Sequence, residues 1–155
     1  MSCVDPRAPL TPLRVTRGAS RAFLLTVRAD PVTGDLSAAV AGVDQSSPGN
    51  PVDLTGALVW FTVKNRVEDL AATIAKRNLA AGGVDNQILI VVPQTGVTAG
   101  QFRVLVDPAD TAGLDPSAAF WCDAWVQLPG GPPLQRYQVM ANRQLILDPG
   151  VTTAF

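Results

Sequence analysis

The chain has 155 residues, 12 basic and 13 acidic side chains, a net charge of −1 and no histidine. Near-neutrality excludes the basic field of a nucleic-acid binder. The missing histidine excludes Ser-His-Asp and Cys-His catalysis and the commonest zinc ligand. Charged residues are only 16% of the chain and apolar ones 47%, against a usual charged share of ~25%, so apolar surface is left over for a partner.

A chain of this length reads as one domain burying roughly 70% of its unfolded surface. The predicted elements begin after residues 1–12, an extended arm in which Pro6, Pro9 and Pro12 fix the backbone and remove donors. This start has no apolar h-region and reads as no signal peptide. No apolar run approaches the ~20 residues of a spanning helix, so no membrane partner is expected. Residues 13–17 form a first strand and Gly18-Ala19 a turn. Residues 21–28 form a second, with Phe23, Leu25 and Val27 on one face.

Residues 29–51 shift to Asp, Pro, Gly, Ser and Asn and read as a long loop, with a short edge strand at 36–40. Loops of that length are functional or poorly ordered; a subunit contact and a floppy insertion both fit. The stretch 57–64 is the strongest central strand: Val59, Phe61 and Val63 face the core, Leu58, Trp60 and Thr62 the other side. One helical turn is expected at 66–70, a strand at 72–78 and a turn at Gly82-Gly83. Residues 87–92 suit a buried strand ended by Pro93, and 101–106 alternates again. Asp107 caps a single turn with Pro108 at its first position, crossing between sheets. In 119–128, Phe120, Cys122, Ala124 and Val126 point one way, Trp121, Asp123, Trp125 and Gln127 the other. Pro129 to Pro133 is a hairpin turn, and strands at 134–140 and 144–147 finish the chain. About eight strands without a long amphipathic helix predict an all-β sandwich over residues 13–155.

The string Asp53-Leu54-Thr55-Gly56-Ala57, followed by Val59, Phe61, Val63 and Lys64, resembles the immunoglobulin-like amino-terminal domain of tailed-phage baseplate upper proteins and related small virion proteins. The run from Asp107 to Leu114, the strand Phe120-Trp121-Cys122-Asp123 with Val126, and Leu145-Ile146-Leu147 match in the same order. The resemblance spans about residues 15–151. It implies a single immunoglobulin-like β-sandwich of seven to nine antiparallel strands. It also implies a structural virion subunit, in the tail or baseplate or as a capsid decoration protein, assembling with other virion proteins and copies of itself.

Chemistry finds no foothold. Asp107, Asp110 and Asp115 cluster, but the spaced acids and central glycine of a calcium loop are absent, and cap and turn roles account for them. Gly82-Gly83 and Gly130-Gly131 lack the context of a phosphate loop. Cys3 and Cys122 are too few for a thiolate metal site, and a buried thiol with a free terminal one fits better than a disulfide. No catalytic, metal or cofactor residue is assigned, and the chain reads as a non-enzyme. The candidate partner contacts are Trp121, Asp123 and Trp125, with Pro6, Pro9 and Pro12 of the arm. The aromatic–acid–aromatic face fits three roles: core lining, a subunit contact anchored by tryptophan, or weak stacking on a glycan, as a carbohydrate-binding module would show. Trp60 is expected to pack within the domain.

Overall fold

The computed structural model describes residues 11–45, 49–66, 68–69, 71–78, 87–129 and 135–150. Among the described residues ten strands occur in chain order: β1 (Leu13–Thr16), β2 (Arg21–Ala29), β3 (Leu36–Val40), β4 (Asn50–Pro51), β5 (Leu58–Lys64), β6 (Ile74–Arg77), β7 (Ile88–Ile90), β8 (Gln101–Val106), β9 (Phe120–Gln127) and β10 (Arg136–Asp148). They build two five-stranded sheets. One has the order β1-β10-β9-β5-β6; the other runs β3-β2-β8-β7, with β4 also on β2. All pairings are antiparallel except β1 with β10, which is parallel. The protein is therefore all-β, in a sandwich-like arrangement.

Period-two patterning explains the layers. Val59, Phe61 and Val63 of β5 and Phe120, Cys122, Ala124 and Val126 of β9 are buried, facing Phe23, Leu25 and Val27 of β2 and Phe102 and Val104 of β8. Each large apolar side chain so buried contributes about 1.5–3 kcal/mol, which outweighs any surface ion pair here. The entry to β5 is set by a tight turn: Asp53 Oδ1 accepts from Thr55 N at 2.9 Å, and Gly56 takes φ +74, a conformation that costs other residues.

The single helical turn α1 (Pro108–Thr111) carries the chain from β8 in one sheet to β9 in the other. Asp110 Oδ2 accepts from Asp107 N at 2.7 Å, and Thr111 Oγ1 accepts from Gly18 N at 2.9 Å. The turn is thus tied to the β1–β2 corner.

Several expectations need correction. The edge strand expected at 36–40 is β3, paired with β2 from Leu25 to Ala29, but the rest of 29–51 is not all loop, because β4 pairs with the end of β2. Asp30 Oδ1 accepts from Val32 N and Thr33 N, closing the β2–β3 hairpin. Strand 87–92 is a three-residue edge strand paired to β8, buried only on the side of Ile88 and exposed at Leu89. The two closing strands are one, β10, continuous through irregular register between Gln138 and Arg143. Asn142 at φ 48 absorbs the bend there. Arg66 and Asp69 form a turn, while Val67 and Leu70 lie outside the described residues. So do Gly82-Gly83, the hairpin residues Gly130 to Pro133, and Cys3, Pro6 and Pro9 of the arm.

Candidate functional site

All three tryptophans of the chain lie on the outward face of the β1-β10-β9-β5-β6 sheet, half-buried. Register explains the assembly. Trp60 pairs with Trp125, Thr62 with Asp123 and Lys64 with Trp121 across β5 and β9. Arg77 of β6 continues the first row on one side and Gln138 of β10 on the other. The core reading of Trp121 and Trp125 is not realised, because Phe120, Cys122, Ala124 and Val126 occupy the inward positions. Trp60 likewise faces outward, opposite to Val59 and Phe61.

Two shallow clefts flank Trp60. The first, of about 340 Å³, is lined by Trp60, Trp125, Thr62, Asp123, Lys64 and Arg136. The Arg136 guanidinium lies 4.8 Å from the centre of the Trp60 ring, close enough for cation–π attraction. Asp123 Oδ1 accepts from Asn142 N at 2.6 Å, which fixes the carboxylate beside the bulge of β10. The second cleft, of about 470 Å³, runs past Arg77 to Lys76, Gln87 and Asp110. There Lys76, buried on β6, pairs with Asp110 at 2.5 Å, and Gln87 Nε2 donates to Asp107 Oδ2 at 2.9 Å.

The acidic cluster is consumed by structure. Asp115 accepts from Ser117 N at 2.9 Å and from its Oγ at 2.8 Å, and these bonds hold its carboxyl below the ordinary range. Among the described residues no group of three or more His, Cys, Asp or Glu side chains is placed to hold a metal ion. Cys122 donates to the Arg143 carbonyl at 3.3 Å, and burial pushes its thiol up to about 12. Only the thiolate is nucleophilic. A thiol reagent applied to the folded chain at neutral pH is therefore expected to leave Cys122 unlabelled until denaturant is added, as peptide mass spectrometry would report. Labelling in native buffer at the rate of a free thiol would contradict this burial.

A second surface went unread in the sequence. Edge strand β7 and the loop after it expose Leu89 (42%), Val92 (81%) and Val97 (92%). Gln87 O and Val91 N bond toward β8, so by antiparallel alternation the backbone groups of Ile88 and Ile90 point away from the sheet. No charged residue occurs from Gln87 to Phe102. The other sheet's edges differ: β6 carries Arg77, and β1 carries Arg14, paired to Asp148 at 2.9 Å. The available signal was that uncharged run, which reads equally as a buried strand until its neighbours are counted. Of the arm, Pro12 is half-buried ahead of β1, and Thr11 O accepts from Arg143.

No protein-family model, curated protein or solved structure matches this chain. Among the described residues no helix is long and apolar enough to cross a membrane.

Proposed function

We propose that the chain is a non-enzymatic structural subunit of a tailed-phage virion, most naturally of the tail or baseplate, which works by binding neighbouring subunits. The observation that carries the association is the β7 edge: backbone groups unpaired among the described residues, exposed aliphatic side chains and no charged residue from Gln87 to Phe102. Native sheets ordinarily blunt such edges with Lys, Pro or a covering segment, and strand addition is a recurrent mode of recognition. The virion context is supported by the ordered resemblance of the motifs at Asp53 to Lys64, Asp107 to Leu114 and Phe120 to Val126. The strand order supports an immunoglobulin-like class. Taking β2, β8 and β7 as strands B, E and D, and β5, β6, β9 and β10 as C, C′, F and G, gives a division of that kind, although β3 stands beside β2 where strand A would be and follows it in the chain.

Quantitative mass spectrometry of purified particles tests the assignment. A few to a dozen copies per particle are expected for a tail or baseplate location, hundreds for capsid decoration, and absence from the particle refutes the virion reading. The edge has its own test, the double substitution Leu89→Lys with Val97→Lys. Exposed sites of this kind change stability by only about 0.5 kcal/mol. Incorporation is nonetheless expected to fall about ten-fold or more, since two lysines must be desolvated at the contact. Normal copy number in particles built from the double variant would remove β7 from the contact surface.

A further inference from the structure

We infer that the cleft between Trp60 and Trp125 is a binding site for a carboxylate-bearing saccharide. None of the residues lining this cleft belongs to β7, so this activity is distinct from strand addition at that edge. The reasoning starts from what the cleft leaves unsatisfied. Lys64 and Arg136 form no ion pair among the described residues, whose pairs are Arg14–Asp148, Lys76–Asp110 and Arg143–Asp44. Asp123 uses Oδ1 for Asn142 N, and its Oδ2 has no hydrogen-bond donor among the described residues. Two cations, one carboxylate oxygen and the Thr62 hydroxyl therefore converge on a recess walled by two indoles.

A purely apolar ligand would bury those charges without partners, which is costly. A simple anion would answer Lys64 and Arg136 but would be repelled by Asp123 and ignore the rings. A neutral sugar would donate hydroxyls to Asp123 and lay its C–H face on an indole, leaving the cations unanswered. A pyranose that carries a carboxylate meets all three demands. Its apolar face stacks on Trp125, its ring hydroxyls donate to Asp123 Oδ2, and its acid accepts from Arg136, with the Lys64 charge in the same recess. Arg136 is already held over Trp60 at 4.8 Å, so less freedom is lost when it engages the acid. The recess, about 340 Å³, lies within the ~300–1,000 Å³ span of small-molecule sites.

The test titrates the full chain with a glucuronate-containing trisaccharide and with its methyl ester, read by tryptophan fluorescence and calorimetry. The wild-type chain is expected to bind the acid at least about ten-fold more tightly than the ester, the scale of one charge-assisted hydrogen bond. Arg136→Gln, at an exposed position, is expected to erase that preference. Trp125→Ala is expected to abolish binding of both. Equal affinity for acid and ester would overturn the charge recognition, and so would a preference that survives Arg136→Gln. No binding of either sugar at millimolar concentration would overturn the site. If Trp125→Ala instead lowered incorporation into particles while no sugar bound, the face would belong to a protein neighbour and the inference would fail.

Discussion

Replacing Arg143 by Met is expected to destabilise the protein by about 3–5 kcal/mol, the penalty for breaking a buried ion pair from one side. The side chain is only 1% exposed. Its NH1 and NH2 groups donate to Asp44 Oδ2 and Oδ1, both at 2.7 Å. Nε and NH2 also donate to the Thr11 carbonyl at 2.9 and 2.7 Å. One guanidinium thus ties β10, the turn after β3 in the opposite sheet, and the chain just before β1. Met fills a similar volume, but Asp44 and the Thr11 carbonyl lose their donors. Arg143→Lys is expected to recover little, because a single ammonium cannot serve two carboxylate oxygens and a carbonyl in one plane. Urea unfolding should show a lower midpoint with unchanged slope. A loss below about 1 kcal/mol would mean that water or a rearranged Asp44 replaces the pair.

The same pair has a pH signature. Burial raises the Asp44 carboxyl, but the Arg143 hydrogen bonds, the Val40 N–H at 2.9 Å and the Arg143 charge outweigh it, so its pKa lies below the ordinary 3.8. A depressed folded pKa means the contribution is fully present above the unfolded value and is lost as pH falls through the folded one. The stability gap between wild type and Arg143→Met should therefore be constant at neutral pH and narrow below about pH 4. A gap that widens with acid would refute the assignment to Asp44.

The second large effect is expected at Gln94. Its Oε1 accepts from Leu54 N at 3.0 Å and Gly100 N at 2.9 Å, while Nε2 donates to Val91 O at 2.6 Å and Gln101 O at 3.1 Å. One amide therefore pins the loop between β7 and β8 onto the approach to β5. Gly100 is confined as well: at φ +80, an added Cβ would meet Val27 O at 2.5 Å. Gln94→Leu strands two buried N–H groups, each worth about 1–3 kcal/mol unsatisfied, so a loss of about 3 kcal/mol is expected in thermal or urea unfolding. Gln94→Glu keeps the acceptor but turns a carboxylate oxygen toward two carbonyls. It should be destabilising at neutral pH and partly restored in acid, where a protonated carboxyl again donates. The loop carries Val92 and Val97, so hydrogen exchange at Val91 N should quicken in the Leu variant. A Gln94→Leu chain as stable as wild type would show that the loop is held by other contacts.

Local pattern carried a large part of this architecture. The inward residues of β2, β5, β8 and β9 were legible because alternation with period two assigns every side chain to a face once one is known. The one-turn α1 was legible from Asp107-Pro108, and the aromatic–acid–aromatic row from Trp121, Asp123 and Trp125. These properties belong to a few neighbouring residues, so chain order suffices to read them.

Whether a face meets water or a second sheet is a different matter, because it depends on partners distant in the chain. Register alone brings Trp60 beside Trp125 and lays Arg136 over it. Strand order alone leaves β7, whose residues look like interior, at a rim with Val92 and Val97 in solvent. Arg143 and Asp44 are 99 positions apart, and nothing around either residue announces a buried pair. Patterning of apolar and polar residues decides which elements form and which side turns inward. Only long-range closure of the two sheets decides which polar groups are trapped together, and those trapped groups hold the fold and shape its surfaces.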